Sequence, residues 1–219
     1  MTTPNMQRIP LPLPWGGTVY PVLLTHQNTR VLVDCGHTSQ ASRTALIKAL
    51  EGKPLDALVL THAHQDHYGG LPALLSQQPN LQVCAARNAQ PYYENQAQTV
   101  LTHRDQLAAF ARRMQVGEAV QNQVLSGYEA IAESGCSTRV HHLIDDGEEL
   151  RFGSMVLRAH HHPGHHHHWS CEVAVCDLRS GLVRMHVPVA AGPGRSFKAH
   201  ARLNRRRQRL WKMLVPSSG

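Results

Sequence analysis

The first sixty residues contain short apolar runs separated by an amphipathic stretch. Residues 19–24 and 30–34 are apolar and β-branched, and the turn-prone residues between them predict a β-hairpin. Apolar side chains then recur at helical spacing between Ser39, a candidate N-cap, and Gly52. The short apolar run 55–60 predicts a buried strand. This order of strand, helix and strand predicts an α/β layered fold.

The hydrophobic pattern of the rest of the chain alternates between helical and strand-like stretches. A short helix is predicted over 71–77 and a strand near 81–84. Residues 89–137 have few β-branched residues and many Ala, Gln, Arg, Glu and Leu, which predicts two or three helices. Strand character returns after this helical segment in four runs, at 138–143, 149–152, 155–159 and 171–176.

Composition is typical of a globular protein with reduced cysteines. The 219 residues suffice for one domain with a sizeable core, and 42% of them are hydrophobic. No run approaches the ~20 apolar residues of a membrane helix, and residues 1–17 lack the apolar core of a secretory signal. The five cysteines have no CxxC spacing. These features predict a cytoplasmic protein that does not associate with membranes.

The net charge of +7 belongs to one end of the chain. Eight Lys and Arg side chains lie between Arg195 and Lys212 with no acid among them, and the rest of the chain is close to neutral. We therefore predict a domain over 1–189 and a basic tail over 190–219. A solvated tail is favoured over a nucleic-acid-binding segment, which stays an alternative.

Ten of the 17 histidines fall in two clusters, and the first cluster has the spacing of metal ligands. His62 and His64 directly follow the predicted buried strand and can point to the same side while the chain is extended. Asp66 and His67 come where the chain turns, so they can address a second point nearby. Three imidazoles and a carboxylate this close together can share a divalent ion, which accepts their lone pairs. The pattern favours a metal site over a polar loop that is merely rich in histidine.

The second cluster, seven histidines within residues 160–168, resembles a low-complexity run. Only His165 has a positional argument, because it emerges from a Pro-Gly turn after a predicted strand and is well placed to reach back as a third ligand. The other histidines are expected to be solvated or to support the ligands. We predict that the ring nitrogens of His62, His64 and His165 lie within about 3 to 4 Å of one another around one zinc ion.

Together these motifs resemble the metallo-β-lactamase superfamily, and within it the glyoxalase II-like hydrolases. The resemblance covers about residues 11–183 and rests on His-x-His-x-Asp-His at 62–67, on the Pro-Gly-His turn ending at His165, and on Asp-Cys-Gly at 34–36. It implies an αββα sandwich that commonly holds two zinc ions. The helical segment 89–137 matches the place where such hydrolases carry a helical insertion over the substrate cleft.

The resemblance also implies a role for each motif residue. A first metal would be bound by His62, His64 and His165, and a second metal by Asp66 and His67. Asp34 would brace the histidine-rich loop from behind the ligands. Some family members use iron, and His and Asp ligands suit both metals, so iron stays an alternative to zinc.

The C-terminal part departs from the family's pattern. The family places a Gly-Asp after a strand, and its carboxylate bridges the two metals, whereas this chain has Arg-Met-His at 184–186 and Asp177 is its last acid. Asp177 is favoured as a turn residue, and His186 and His200 are candidate substitutes without motif support. We therefore expect an incomplete C-terminal half, as in a truncated or shifted sequence, and one metal per chain in preference to two.

The helical segment carries three of the five tyrosines. Aromatic side chains with a polar tip suit the wall of a substrate cleft, so we predict that Tyr92, Tyr93 or Tyr128 faces it. Packing of these rings in the core is the alternative.

The predicted function is metal-dependent hydrolysis, in which a metal-bound hydroxide attacks the carbonyl of a small thioester, ester or lactone. Asp66 would orient or deprotonate the water, and His67 would act as a nearby acid or base. The missing bridging carboxylate predicts weakened activity. The alternatives are a non-catalytic metal-binding remnant of the fold and a nucleic-acid-processing member of the same superfamily.

Overall fold

A computed structural model of the chain describes residues 5–135, 137–162 and 170–176. The strands in these ranges are β1 Asn5–Arg8, β2 Leu11–Pro12, β3 Thr18–Val19, β4 Val22–His26, β5 Thr29–Val33, β6 Ala57–Leu60, β7 Gln82–Ala86, β8 His142–Ile144, β9 Glu149–Phe152, β10 Met155–His162 and β11 Ser170–Cys176. The α-helices are α1 Gln40–Leu50, α2 Gln65–Tyr68, α3 Leu71–Gln77, α4 Gln90–Glu94, α5 Gln96–Arg113 and α6 Glu118–Ser134.

Six strands form a mixed sheet in the order β1-β4-β5-β6-β7-β8. The pairs β1·β4 and β4·β5 are antiparallel, and the pairs β5·β6, β6·β7 and β7·β8 are parallel. A second, antiparallel sheet has the order β11-β10-β9, and β2 pairs with β3 in a short ribbon. The predicted hairpin is confirmed as β4 and β5, in which Val22 pairs with Val33.

Two clusters of buried apolar side chains cover the two faces of the six-stranded sheet. Neighbouring residues of one strand enter different clusters, because successive side chains of a strand point to opposite faces. The cluster against the helices includes Leu32, Leu58, Leu46, Leu71 and Leu74. The cluster against the second sheet includes Val31, Val59, Met155 and Leu157. The described residues thus form a layer of helices, a sheet and a second sheet, in agreement with the predicted sandwich.

Most predicted elements lie where the sequence pattern placed them. Helix α1 begins after Ser39, although the Ser39 side chain makes no capping hydrogen bond, and α3 covers the predicted residues. The helical segment contains the three helices α4, α5 and α6. The predicted strand 19–24 corresponds to two short strands, β3 and β4, and the strand predicted over 138–143 is limited to β8. The sequence did not predict β1, β2 or the single turn of α2.

Helices α5 and α6 form an antiparallel hairpin that is fixed at its base. No residue of α6 is buried. The buried side chain of Gln96, at the start of α5, donates through Nε2 to the carbonyl oxygen of Ile131 at 3.0 Å. A side chain at Gly135 would collide with the Gln96 amide. The start of α5 and the end of α6 are therefore held together.

Several predictions fall beyond the described residues. These include the division between residues 189 and 190, the basic tail, and the positions of Asp177, His186 and His200. None of the helices within the described ranges combines the length and apolar character needed to cross a membrane.

Candidate metal centre

The histidine-rich motif lies at the carboxyl ends of two parallel strands of the six-stranded sheet. Asp34 directly follows β5, and Thr61 and His62 directly follow β6. The short helix α2 then carries Asp66 and His67. Because β5 and β6 are parallel neighbours, their carboxyl ends meet at one edge of the sheet, where α/β proteins commonly bind ligands.

The buried carboxylate of Asp34 holds this loop in place. Its Oδ1 accepts a hydrogen bond from the backbone N–H of Thr61 at 2.9 Å, and its Oδ2 accepts one from the Thr61 hydroxyl at 2.8 Å. Its Oδ2 also accepts a hydrogen bond from Nδ1 of His67 at 2.7 Å. Asp34 itself has φ 60°, a left-handed conformation that Asp tolerates better than most residues. The prediction that Asp34 braces the histidine-rich loop is confirmed.

The backbone after α2 lies directly on the segment that follows β5. The N–H of Cys35 donates to the carbonyl of His67 at 2.7 Å, and the N–H of Gly70 donates to the carbonyl of Gly36 at 3.1 Å. A side chain at Gly70 would collide with the Cys35 carbonyl oxygen. Glycine is therefore required at residue 70 for this close approach.

His62 and His64 direct ring nitrogens at one another. Nε2 of His62 lies 3.0 Å from Nδ1 of His64, and His62 is fully buried. Two nitrogens bound to one tetrahedral zinc at ~2.0 to 2.1 Å would lie about 3.3 Å apart, so the pair needs only a small shift to share an ion. This distance lies within the predicted range, and the sharing of one ion by the pair stays a prediction.

The tautomer of His62 follows from its neighbours. The Thr61 hydroxyl has a single hydrogen and donates it to Asp34, which only accepts. The Thr61 oxygen, 3.0 Å from Nδ1 of His62, must then accept the hydrogen of that nitrogen. This arrangement leaves the lone pair of His62 on Nε2, the atom that faces His64. Such outer hydrogen bonds orient metal-binding histidines.

His67 is oriented in the same way. It donates through Nδ1 to Asp34, and its Nε2 lies 3.8 Å from the carboxylate of Asp66. Burial alone would lower the pKa of His67, but the charge and hydrogen bond of Asp34, aided by Asp66, outweigh burial and raise that pKa. The rings of His62 and His67 lie 4.0 Å apart between centroids. His67 thus lies beside His62, with Asp66 next to it, and the role of Asp66 and His67 at a second metal stays a prediction.

The third predicted ligand, His165, lies outside the described residues. Within the part of the chain that the structure describes, no three His, Cys, Asp or Glu side chains converge on a complete metal site. The grouping of His62, His64 and His165 around one ion therefore stays a prediction.

A further histidine beside the motif was missed by the sequence analysis. The buried ring of His37 accepts a hydrogen bond at Nδ1 from the backbone N–H of Ser39 at 3.0 Å, and the ring of Trp15 meets it edge-on. Burial lowers the pKa of His37, and the charge of Asp66 offsets only part of this effect. The position of His37 directly after the Asp-Cys-Gly motif is the signal that could have indicated it.

The tyrosines of the helical segment do not share one environment. Tyr93 is fully buried and meets Tyr68 edge-on with centroids 5.5 Å apart, so core packing is the correct alternative for this ring. The hydroxyl of Tyr92 lies 2.7 Å from Nδ1 of His103 in α5. Tyr128 is half-buried, and its predicted position on a substrate cleft stays a prediction.

Comparison with known proteins decides the family. The family model described as Metallo-beta-lactamase superfamily matches residues 14–183. The chain belongs to this superfamily. Its solved relatives include a metallo-β-lactamase family protein from Thermus thermophilus, with a TM-score of 0.60 at 21% identity over 78% of this chain and 58% of that chain. A β-lactamase domain protein from Burkholderia ambifaria gives a TM-score of 0.59 at 20% identity, covering 78% of this chain and 51% of that chain.

Curated relatives match a shorter stretch of this metallo-β-lactamase superfamily member. A ribonuclease Z from Agathobacter rectalis is 36% identical over 67 residues, which is 31% of this chain and 20% of the relative. A hydroxyacylglutathione hydrolase from Aliivibrio salmonicida is 39% identical over 69 residues, which is 31% of this chain and 26% of the relative. The chain thus matches only about a fifth to a quarter of the length of these relatives. The predicted superfamily and sandwich fold are confirmed, and the family is one of hydrolases.

Proposed function

We propose that the protein is a metal-dependent hydrolase of small thioesters, esters or lactones, with its metal held by His62, His64 and His165. The observation that carries the proposal is the 3.0 Å approach of His62 Nε2 to His64 Nδ1. A divalent ion at these atoms supplies Lewis acidity and lowers the pKa of its bound water to about 7. Zinc is favoured, and iron suits the same ligands.

The residues present fit such an ion in their chemistry. The two facing atoms are imidazole nitrogens, and the hydrogen-bond chain from Asp34 through Thr61 places the lone pair of the neutral His62 ring on Nε2. A metal binds the lone pair of a neutral imidazole, so a tautomer that already places this lone pair on Nε2 favours binding. The ligand pair is held at a strand end, with His62 buried and His64 half-buried, which limits the reorganisation that binding requires.

Asp66 and His67 supply the acid and base groups of the proposed reaction. The Asp66 side chain is 28% exposed, so its carboxylate is accessible to water and can orient or deprotonate a water molecule beside the histidine pair. His67 is held by Asp34 and presents Nε2 toward Asp66. The same two side chains would be the ligands of a second metal.

A second candidate function is the processing of nucleic acid. It is supported by the similarity to ribonuclease Z and by the run of arginines from Arg205 to Arg209. The first candidate is supported by the similarity to hydroxyacylglutathione hydrolase and by the near-neutral charge of the remaining chain. Binding of metal without turnover would identify a non-catalytic remnant of the fold.

The experiment that tests the proposal is a hydrolysis assay of the zinc-loaded protein on thioesters, esters, lactones and structured RNA. We expect carbonyl substrates to be hydrolysed, and we expect a chelator to remove the activity. Cleavage of RNA alone, with binding that weakens steeply as salt is added, would favour the second candidate. Zinc binding without hydrolysis of any substrate would leave only the remnant.

We expect the purified protein to hold about one zinc or iron ion per chain at neutral pH. Asp66 and His67 form only part of a second site, and two protein ligands hold a divalent ion poorly compared with four. Elemental analysis after gel filtration measures the ratio directly. Two tightly held ions per chain would show that another residue replaces the missing bridging carboxylate.

A further inference from the structure

The turn that carries Asp66 and His67 is contacted at both of its ends by the helical segment α4 to α6. At one end, the buried ring of Tyr68 packs edge-on against Tyr93 of α4. At the other end, Nε2 of Gln65 donates to Oγ of Ser134, the last residue of α6, at 2.5 Å. The helical segment therefore touches the motif itself.

These two contacts belong to one connected unit. The backbone N–H of Thr138, just after α6, donates to the carbonyl of Tyr93 at 2.7 Å. Gln96 ties the start of α5 to Ile131 of α6, as described above. The end of α6, the helix α4 and the start of α5 are therefore linked by direct hydrogen bonds.

Gln65 also faces the opposite side of the motif. It is also one of the neighbours that offset part of the lowering of the pKa of His37, whose Nδ1 accepts a hydrogen bond from the backbone N–H of Ser39. One amide side chain thus lies between the start of α1 and the end of α6. It belongs to the residue directly between His64 and Asp66 in the motif.

Both partners of the Gln65–Ser134 contact depend on external support. Helix α2 has only four residues, so it has too few internal hydrogen bonds to set its own orientation. Helix α6 has no buried residue, so its end depends on polar contacts, such as that of Gln96 with Ile131, and not on apolar packing. A contact shared by two weakly supported elements couples their positions.

We propose that Gln65 is a positioning residue that couples the end of α6 to the metal ligands beside it, so that metal binding and order at the end of α6 favour one another. The inference rests on the proposed function, because it assumes that the motif holds a metal. Coupling of this kind is reciprocal: if the metal orders the helix end, the helix contact must raise the affinity for the metal.

The test compares three variants of the full chain. Ser134→Ala removes the contact of Gln65 with α6, and Gln65→Leu removes the contacts on both sides. The matched control is Ser126→Ala. Ser134 and Ser126 are both exposed serines of α6 whose hydroxyls donate to a carbonyl within the helix, that of Ala130 at 2.7 Å and that of Gln123 at 3.0 Å respectively. Zinc affinity is measured by competition with a chromophoric chelator, and hydrogen exchange of α6 is followed with and without zinc.

We expect zinc to slow hydrogen exchange at the end of α6 in the unaltered protein and in Ser126→Ala, and to have no such effect in Ser134→Ala. The zinc affinity of Ser134→Ala should fall about three- to tenfold, as expected for loss of one hydrogen bond, and that of Gln65→Leu about tenfold or more. If Gln65→Leu does not fold, the exposed Ser134→Ala substitution carries the test alone.

Equal zinc affinity and equal exchange in Ser134→Ala and Ser126→Ala would overturn the inference while leaving the proposed function intact. Failure of the unaltered protein to bind zinc would overturn the proposed function, and the inference with it. The two failures are therefore distinguishable in one set of measurements.

Discussion

His64→Ala should lose both metal and hydrolytic activity, whereas Asp66→Ala should lose activity and keep most of its metal. His64 supplies one of the two facing nitrogens of the proposed first site, and its removal leaves His62 without its partner. Asp66 lies beside that pair and is proposed to act on water, a role typically worth about 10² to 10⁴ in rate. Elemental analysis and the rate of hydrolysis, measured on the same preparations, separate the two effects.

Two matched substitutions control for the loss of a side chain. His142→Ala removes an exposed histidine that pairs with Glu148, and Asp105→Ala removes an exposed carboxylate that pairs with Arg104. Both variants should retain metal content and rate. Full metal content in His64→Ala, or an unchanged rate in Asp66→Ala, would contradict the roles proposed for these residues.

Asp34→Ala should lower the free energy of unfolding by about 3 to 5 kcal/mol, because it removes one partner of a buried charged network. The substitution leaves the N–H and hydroxyl of Thr61 and Nδ1 of His67 without their acceptor. We expect metal affinity to fall about 10- to 100-fold as well, since the outer hydrogen bonds that orient the ligands are lost. Urea unfolding and chelator competition measure the two quantities.

Asp34→Asn separates conformation from charge at this residue. Asn tolerates the left-handed conformation and can still accept from Thr61, so the loss of stability should be smaller than in Asp34→Ala. Asp56→Ala is the matched control, because its exposed carboxylate accepts a hydrogen bond from the backbone N–H of Arg30 at 2.7 Å. Equal stability of Asp34→Ala and Asp56→Ala would contradict the bracing role.

The elements with strong local patterns were predictable from the sequence. Strands β4, β5 and β6 are short apolar runs, which agrees with their burial in the sheet. Helix α1 has apolar side chains at helical spacing, which agrees with its packing against the sheet. Strand β1 has four exposed residues and exists through its pairing with β4. Pairing of this kind is a tertiary effect that local periodicity does not record.

The site shows the same division between local and tertiary signals. The spacing of His62 and His64 indicated facing side chains, because two residues in an extended chain point to one side. The importance of Thr61 was not predictable, since its hydroxyl matters through Asp34, which is distant in sequence. Tyr93 belongs to the core because α4 is pressed against Tyr68, a contact that composition could not indicate.

The bracing network has a consequence for the order in which the protein is made. The hydrogen bonds described for Asp34, Thr61 and His67 join residues within the first third of the chain. Domains generally fold as units, and the face of the sheet formed by β5 and β6 is buried against Met155 and Leu157 of the second sheet. The contacts that orient the motif are therefore made early in synthesis, whereas the core that supports them is complete only after the second sheet has been made.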